Sequence, residues 1–403
     1  MSHRLSRAWK ACGGGAFTLA LLALAACKNH GFPEYPANYR EFAYVSNGAS
    51  DTVSVFDVVN VRVDREIQVG ANPTGIAANP KRNEIYVVNT GRGTGNGSVS
   101  IIDAEKNAVA GNIQVGKQPY FIDVEPDGNL AYVANSGSGS VSVLDLKTRR
   151  QIAEVATGAG AGVVRVSADG KTLVVTNRTA NSVSIVDARQ GRVRKLIEGC
   201  PGATDAVILS DSRKAFVACS SGHQVMAIAL AKAAEGEGAA HTDARADALE
   251  AMLDVGHSPV HISLKPDGGE IFVSNFDSDS VSEIVTGTND VQGAFMMGSH
   301  PVYGLISADN SLLYVSNFRS QELTMYSIDD GKRARIDPAG SGSIRVGDGP
   351  DSLAFSADGH LLFAVDARSS DLAVIRTSTH SLFTFLPTGR QPNAIAVKAF
   401  QVH

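Results

Sequence analysis

Short apolar runs closed by turn residues recur along the chain, and one of them repeats. Its copies are Tyr44-Val-Ser-Asn47, Tyr86-Val-Val-Asn89, Tyr132-Val-Ala-Asn135, Val174-Val-Thr-Asn177, Phe216-Val-Ala-Cys219, Phe272-Val-Ser-Asn275, Tyr314-Val-Ser-Asn317 and Phe363-Ala-Val-Asp366. They start 42, 46, 42, 42, 56, 42 and 49 residues apart, which describes a fixed unit carrying loop insertions. The pattern around each copy predicts four short strands. A Pro-led run such as Gln118-Pro-Tyr-Phe-Ile-Asp-Val-Glu-Pro-Asp-Gly128 comes first and closes in a Pro-Asp-Gly turn signal. The motif is the second strand, Val141-Ser-Val-Leu-Asp145 and its counterparts the third, and a run ending near Val-Gly, such as Ile113-Gln-Val-Gly116, the fourth. Four hairpin-linked antiparallel strands make a propeller blade.

The two ends of the chain set the blade number. It opens on the second strand of a unit and closes on a lone first strand, Gln391-Pro-Asn-Ala-Ile-Ala-Val-Lys398. Pairing that strand with the first three closes a ring and removes an open sheet edge. The prediction is therefore an all-β, eight-bladed propeller forming a single domain over 41–403. Seven blades is the alternative if Phe363-Ala-Val-Asp366 is degenerate.

These repeats resemble those of the YVTN-repeat propellers, which include YncE-like bacterial proteins, archaeal surface-layer propellers and, more distantly, lactonase and cytochrome-d1-type propellers. The resemblance covers 41–400. It implies fold far more than activity, because propellers host unrelated functions. Most YVTN-type relatives resemble seven-bladed structures, so eight blades is a departure. Within the motif the first and third positions are expected to wedge between blades, and the Asn to bond the backbone of the following turn. Two insertions interrupt the units. Residues 231–251, rich in Ala and Glu, predict a partly helical, solvated excursion, and 331–343, with Lys332, Arg333 and Arg335, an exposed loop.

The N-terminus changes the picture of where the chain works. Arg4, Arg7 and Lys10 precede an apolar run over 16–26 that is too short for a final membrane anchor. It ends in Leu24-Ala25-Ala26-Cys27, which looks like the lipobox of bacterial lipoproteins. That reading makes 1–26 a signal peptide, Cys27 the lipidated residue and 27–40 a tether. Lys28 in place of Asp favours the outer membrane, with the propeller facing the periplasm or the exterior. Formal charge is −5; without the three basic residues of 1–26, 33 basic face 41 acidic side chains, a net −8. No basic stripe accompanies it, so nucleic acid is excluded as a partner. With Cys12 removed and Cys27 acylated, Cys200 and Cys219 remain. A hairpin over 203–219 brings Cys219 beside the loop that holds Cys200, which predicts a disulfide.

Aligning the innermost strands on their leading residue, Pro in six of the eight, exposes a candidate site. Two residues further on, the eight units hold Gly75, Phe121, Val163, Asp205, His261, Tyr303, Ser352 and Ala394. Asp, His and Tyr thus share one depth on consecutive blades, near the channel mouth. His257 and His300 lie in the loops heading two of those strands, and Asp351 precedes Ser352. Deeper, Asp123 and Arg165 share one position on adjacent blades and predict an inter-blade ion pair. The ligand-binding set is therefore His257, His261, His300, Tyr303, Asp205 and Asp351. Three chemistries are open to it. The three histidines could hold a metal, with Asp205 orienting His261. Asp205, His261 and Tyr303 could be catalytic, with His261 as the base of a lactonase-like hydrolase. The residues could instead simply bind an envelope protein, a peptide or a small ligand, the reading adopted here. No cofactor is predicted, while a metal or a tetrapyrrole remains open. No nucleophile elbow, zinc-protease helix or phosphate loop is present.

Overall fold

Eight antiparallel sheets surround a central channel in the computed structural model, each of four strands except blade 7, whose outermost strand is split into Lys332–Arg333 and Ser343–Arg345 among the described residues. The structure describes residues 33–231, 247–328, 332–333 and 342–402. Blade 3 shows the pattern. Its strands are Pro119–Val124, Leu130–Asn135, Ser140–Asp145 and Arg150–Ala156, ordered from the channel outward. The two middle strands are almost wholly buried because both faces pack on neighbouring blades. The outer strand alternates and reaches solvent. The motif aromatics Tyr44, Tyr86, Tyr132, Phe216, Phe272, Tyr314 and Phe363 are fully buried. Each contributes roughly 1.5–3 kcal/mol of burial, and Tyr44 keeps its hydroxyl bonded to Asn107 Oδ1 at 2.6 Å.

Closure joins the chain ends. Pro392–Gln401 pairs antiparallel with Tyr39–Asn47, from Tyr39 opposite Gln401 to Asn47 opposite Pro392. Blade 1 therefore starts at Tyr39, two residues before the expected boundary. Cys27 lies outside the described residues, as does the helical excursion expected at 232–246. The last residues assigned to that insertion, 248–251, belong instead to the outer strand Ala248–Asp254 of blade 5. Lys332 and Arg333, placed in a loop by sequence, pair with Ser327 and Tyr326 at the edge of blade 7. The rest of that loop, 334–341, lies outside the described residues.

The motif Asn works differently from expectation. Its amide nitrogen donates to two hydroxyls of the third strand rather than to the turn backbone. Asn135 bonds Ser140 Oγ at 3.2 Å and Ser142 Oγ at 2.9 Å, and Asn47, Asn177 and Asn275 repeat the pattern. The glycine of each Val-Gly end packs against this Asn. A Cβ on Gly70, Gly116 or Gly158 would lie 2.5, 2.6 or 2.7 Å from the Asn side chain, so only glycine fits.

Blade 5 replaces that contact with a covalent one. Cys200 and Cys219 are disulfide-bonded, with Cα atoms 4.8 Å apart and a sequence separation of 19. The same offset relates Gly158 to Asn177, so the two sulfurs stand where a Gly–Asn pair stands elsewhere. Reduction should lower stability by about 3 kcal/mol for a loop of this length. In urea unfolding, dithiothreitol should shift the wild-type midpoint and leave a C200G/C219N variant unmoved.

Candidate functional site

All eight innermost strands carry an irregularity at the same place. Their register slips within the first four residues, for example between Pro119 and Phe121 or Pro259 and His261. A bulge there re-aims the strand, so consecutive side chains both face the channel mouth. Tyr120 and Phe121, Thr204 and Asp205, and Asp351 and Ser352 line the same cavity of about 580 Å³.

One sector of this cavity is a bonded layer. Arg165 donates to Asp205 Oδ1 at 3.1 Å and to the Ala206 carbonyl at 3.0 Å, and its guanidinium lies 4.6 Å over the Phe121 ring. Asp205 also accepts the backbone N–H groups of Ala206 and, across to the next blade, Ile262. Burial opposes its charge, but Arg165, His261 and these N–H groups hold its carboxyl below the ordinary carboxylate range. Arg165 is held above its ordinary value: burial works against it, and Asp205 and Asp123 outweigh burial. The expected Asp123–Arg165 bond is thus replaced. The long Arg side chain reaches forward to Asp205, while Asp123 is tied to the N–H groups of Val124 and Val166.

His261 stacks on Tyr303 with ring centroids 3.9 Å apart. Its Nδ1 accepts the Gly304 N–H at 3.3 Å, which places the proton on Nε2, 3.8 Å from Asp205 Oδ2. Burial pushes its pKa down to about 4, with Asp205 opposing and Arg165 reinforcing the shift. A neutral imidazole whose free lone pair already takes an N–H is a poor general base. Ser263 Oγ, 3.5 Å from the same nitrogen, is too distant for a firm bond. Arg165, His261 and Tyr303 also line a second, 330 Å³ cavity further along the channel, so the layer lies between two cavities.

The other histidines do not join it. The His257 ring stacks on His223 at 4.5 Å, and the His257 backbone N–H donates to Ser278 Oγ. His300 sits at φ 58°, the left-handed turn position that Asn72, Gln118, Ser258 and Gln391 fill in other blades. Its ring meets Phe276 at 4.5 Å and Ser299 Oγ at 2.8 Å. His257 and His300 stand at different offsets from the leading Pro, so their loops aim them apart. Among the described residues no group of three His, Cys, Asp or Glu side chains is arranged to hold a metal.

Asp351, on the blade next to that of Tyr303, also lines the mouth, and its carboxylate has no bonded partner among the described residues; burial pushes its pKa up to about 6. Sequence reasoning missed Tyr120, Thr204, Asn393 and Phe276, which also line the cavity. Aligning the residue after each motif would have found Phe276, since most blades hold a small residue there.

These features define a propeller with a shaped, partly polar cavity at one end of its channel. The chain belongs to the cytochrome D1 heme domain family, whose match spans residues 92–302, just over half its length. No curated protein matches it. Among solved structures it is similar to the dihydro-heme d1 dehydrogenase NirN in complex with DHE (TM-score 0.71, 14% identity, covering 91% of this chain and 76% of that one). It is also similar to apo AztD from Citrobacter koseri (0.64, 16%, 90% and 98%) and to Kuenenia stuttgartiensis hydrazine synthase (0.55, 20%, 88% and 99%). At these identities the likeness concerns the fold.

The family description invites a test for a haem-type tetrapyrrole, and the residues present do not fit one. Among the described residues His261 is the one histidine lining the mouth cavity, and both of its nitrogens face protein groups. Burial pushes the Tyr120 and Tyr303 phenols up, away from the phenolate that an iron would take. The charged lining is three carboxyls, Asp123, Asp205 and Asp351, against the single cation Arg165. A macrocycle that carries its own carboxylates meets repulsion there.

Proposed function

We propose that this chain is a lipid-anchored binding module of the cell envelope that captures its ligand in the channel mouth and performs no chemistry on it. The observation that carries this reading is the combination of occupied and free groups in one cavity. Asp205 and Arg165 spend their charges on one another and His261 Nδ1 takes a backbone N–H, whereas Asp351 and the Tyr303 hydroxyl face the cavity without bonded partners among the described residues. Cavities of this size, apolar with a few free polar groups, are built to hold ligands. The signal-like segment, the Cys27 lipobox and the disulfide support placement outside the cytoplasm, probed by radiolabelled palmitate incorporation that C27A abolishes.

Ala394 lines the cavity opposite the bonded layer. Native mass spectrometry of protein purified from its own envelope should find a small-molecule or peptide adduct on the wild type. Ala394→Phe should lose that adduct while keeping the wild-type melting temperature within a few degrees. A wild-type chain that stays bare, with no melting shift in envelope extract, overturns the binding reading.

A further inference from the structure

Which ligand the mouth takes is written in its charge balance. This inference rests on the binding reading above and adds a chemical class to it. Arg165 and Asp205 neutralise one another, and Asp123 is held by two backbone N–H groups beside the same guanidinium. Asp351 is the carboxylate left over. It stands on blade 8, preceding Ser352, whose hydroxyl is buried and has no hydrogen-bond partner among the described residues. Two unfilled polar groups thus adjoin in one wall, and burying a polar group without a partner is unfavourable. Tyr120 and Tyr303 lie close enough to Asp351 to feel its charge, and Phe276 completes an aromatic surround. Ile76 and Ile395 supply an apolar wall.

We propose that the channel mouth binds an organic ammonium ion, its charge set against Asp351 and its apolar body against the aromatic and aliphatic walls. A carboxylate and aromatic faces attract the same cation by independent means, the second through the ring quadrupole. Asp351 lies beyond the 92–302 segment matched by the haem-domain family, so the group that selects the ligand belongs to this chain's own last blades.

Tryptamine and indole-3-propionate have similar shapes and opposite charge, and isothermal titration of the full chain with each separates the cases. Tryptamine should bind at least tenfold tighter than the acid. Asp351→Asn should cost at least tenfold, Asp351→Glu much less, and Ala394→Phe should abolish the heat. Circular dichroism melts confirm that each variant is folded. Equal or tighter binding of the acid, or tryptamine binding indifferent to Asp351→Asn, overturns the ammonium assignment while leaving the mouth as a binding site. Silence from both probes also overturns it, and the native mass spectrum then decides separately whether the mouth binds anything.

Discussion

Arg165→Leu should cost about 3–5 kcal/mol of stability, measured as the shift in urea midpoint at pH 7, because it strands a buried carboxylate. Asp205 is 6% exposed, and Arg165 is its bonded counter-charge. Removing the guanidinium leaves two backbone N–H groups and a neutral His261 around the charge. Asp205→Asn in the same background should recover much of the loss, since no charge is then left uncompensated. A coupling of roughly 2 kcal/mol between the two positions would mark them as one unit. The pH dependence reverses sign between wild type and variant. In the wild type the Asp205 pKa is depressed, so its contribution is present above the unfolded value near 4 and is lost as pH falls. Without Arg165 burial dominates, the pKa rises, and stability falls as pH rises instead. Equal midpoints for the single and double variants would show that the pair is not a charge unit.

That pair also shows what the sequence could and could not reveal. The eight-bladed ring was legible because a 42-residue period, four strand-sized apolar runs and a split first blade all point to one closure. Position along the inner strand was legible too, since repeats align and Asp205, His261 and Tyr303 stood out against their equivalents. Direction was not. The bulge common to all eight inner strands leaves no trace in residue type, because Pro73, Pro119 and Ala203 head the same bulge. That bulge is what brings Tyr120 and Asn393 to the mouth beside Phe121 and Ala394. Arg165 was assigned to Asp123 from equal depth, whereas side-chain length lets it reach the following blade. The histidines were read as a set because they head or begin neighbouring inner strands, while their loop offsets fix His257 and His300 on different neighbours. Periodic features specify backbone; convergence of side chains depends on local twist that periodicity does not encode.

Departures from the repeat are legible in the same way, and blade 8 holds one with a measurable consequence. Asp366 takes the place of the motif Asn, and Asp371 takes the place of the hydroxyl that normally accepts from it. Asp366 is fully buried and accepts the Gly347 N–H at 3.0 Å, but it has no amide to donate. Burial first, and then the hydrogen bond and charge of Asp371, push its pKa up to about 9. A proton must therefore sit between the two carboxyls at neutral pH. The folded state binds that proton from the unfolded value near 4 up to about 9, so stability falls with rising pH across this window. Asp366→Asn restores the pattern of the other blades, its oxygen facing Gly347 as Asn317 faces Gly298 and its amide donating to Asp371. The substitution should stabilise the protein by on the order of 3 kcal/mol at pH 7, by more at pH 8.5, and by almost nothing at pH 4. Denaturant midpoints of the two proteins across that range test it. A gain that is the same at every pH would mean that packing, rather than a shared proton, distinguishes blade 8. No gain at pH 8.5 would mean that the carboxyl pair is relieved by some other route.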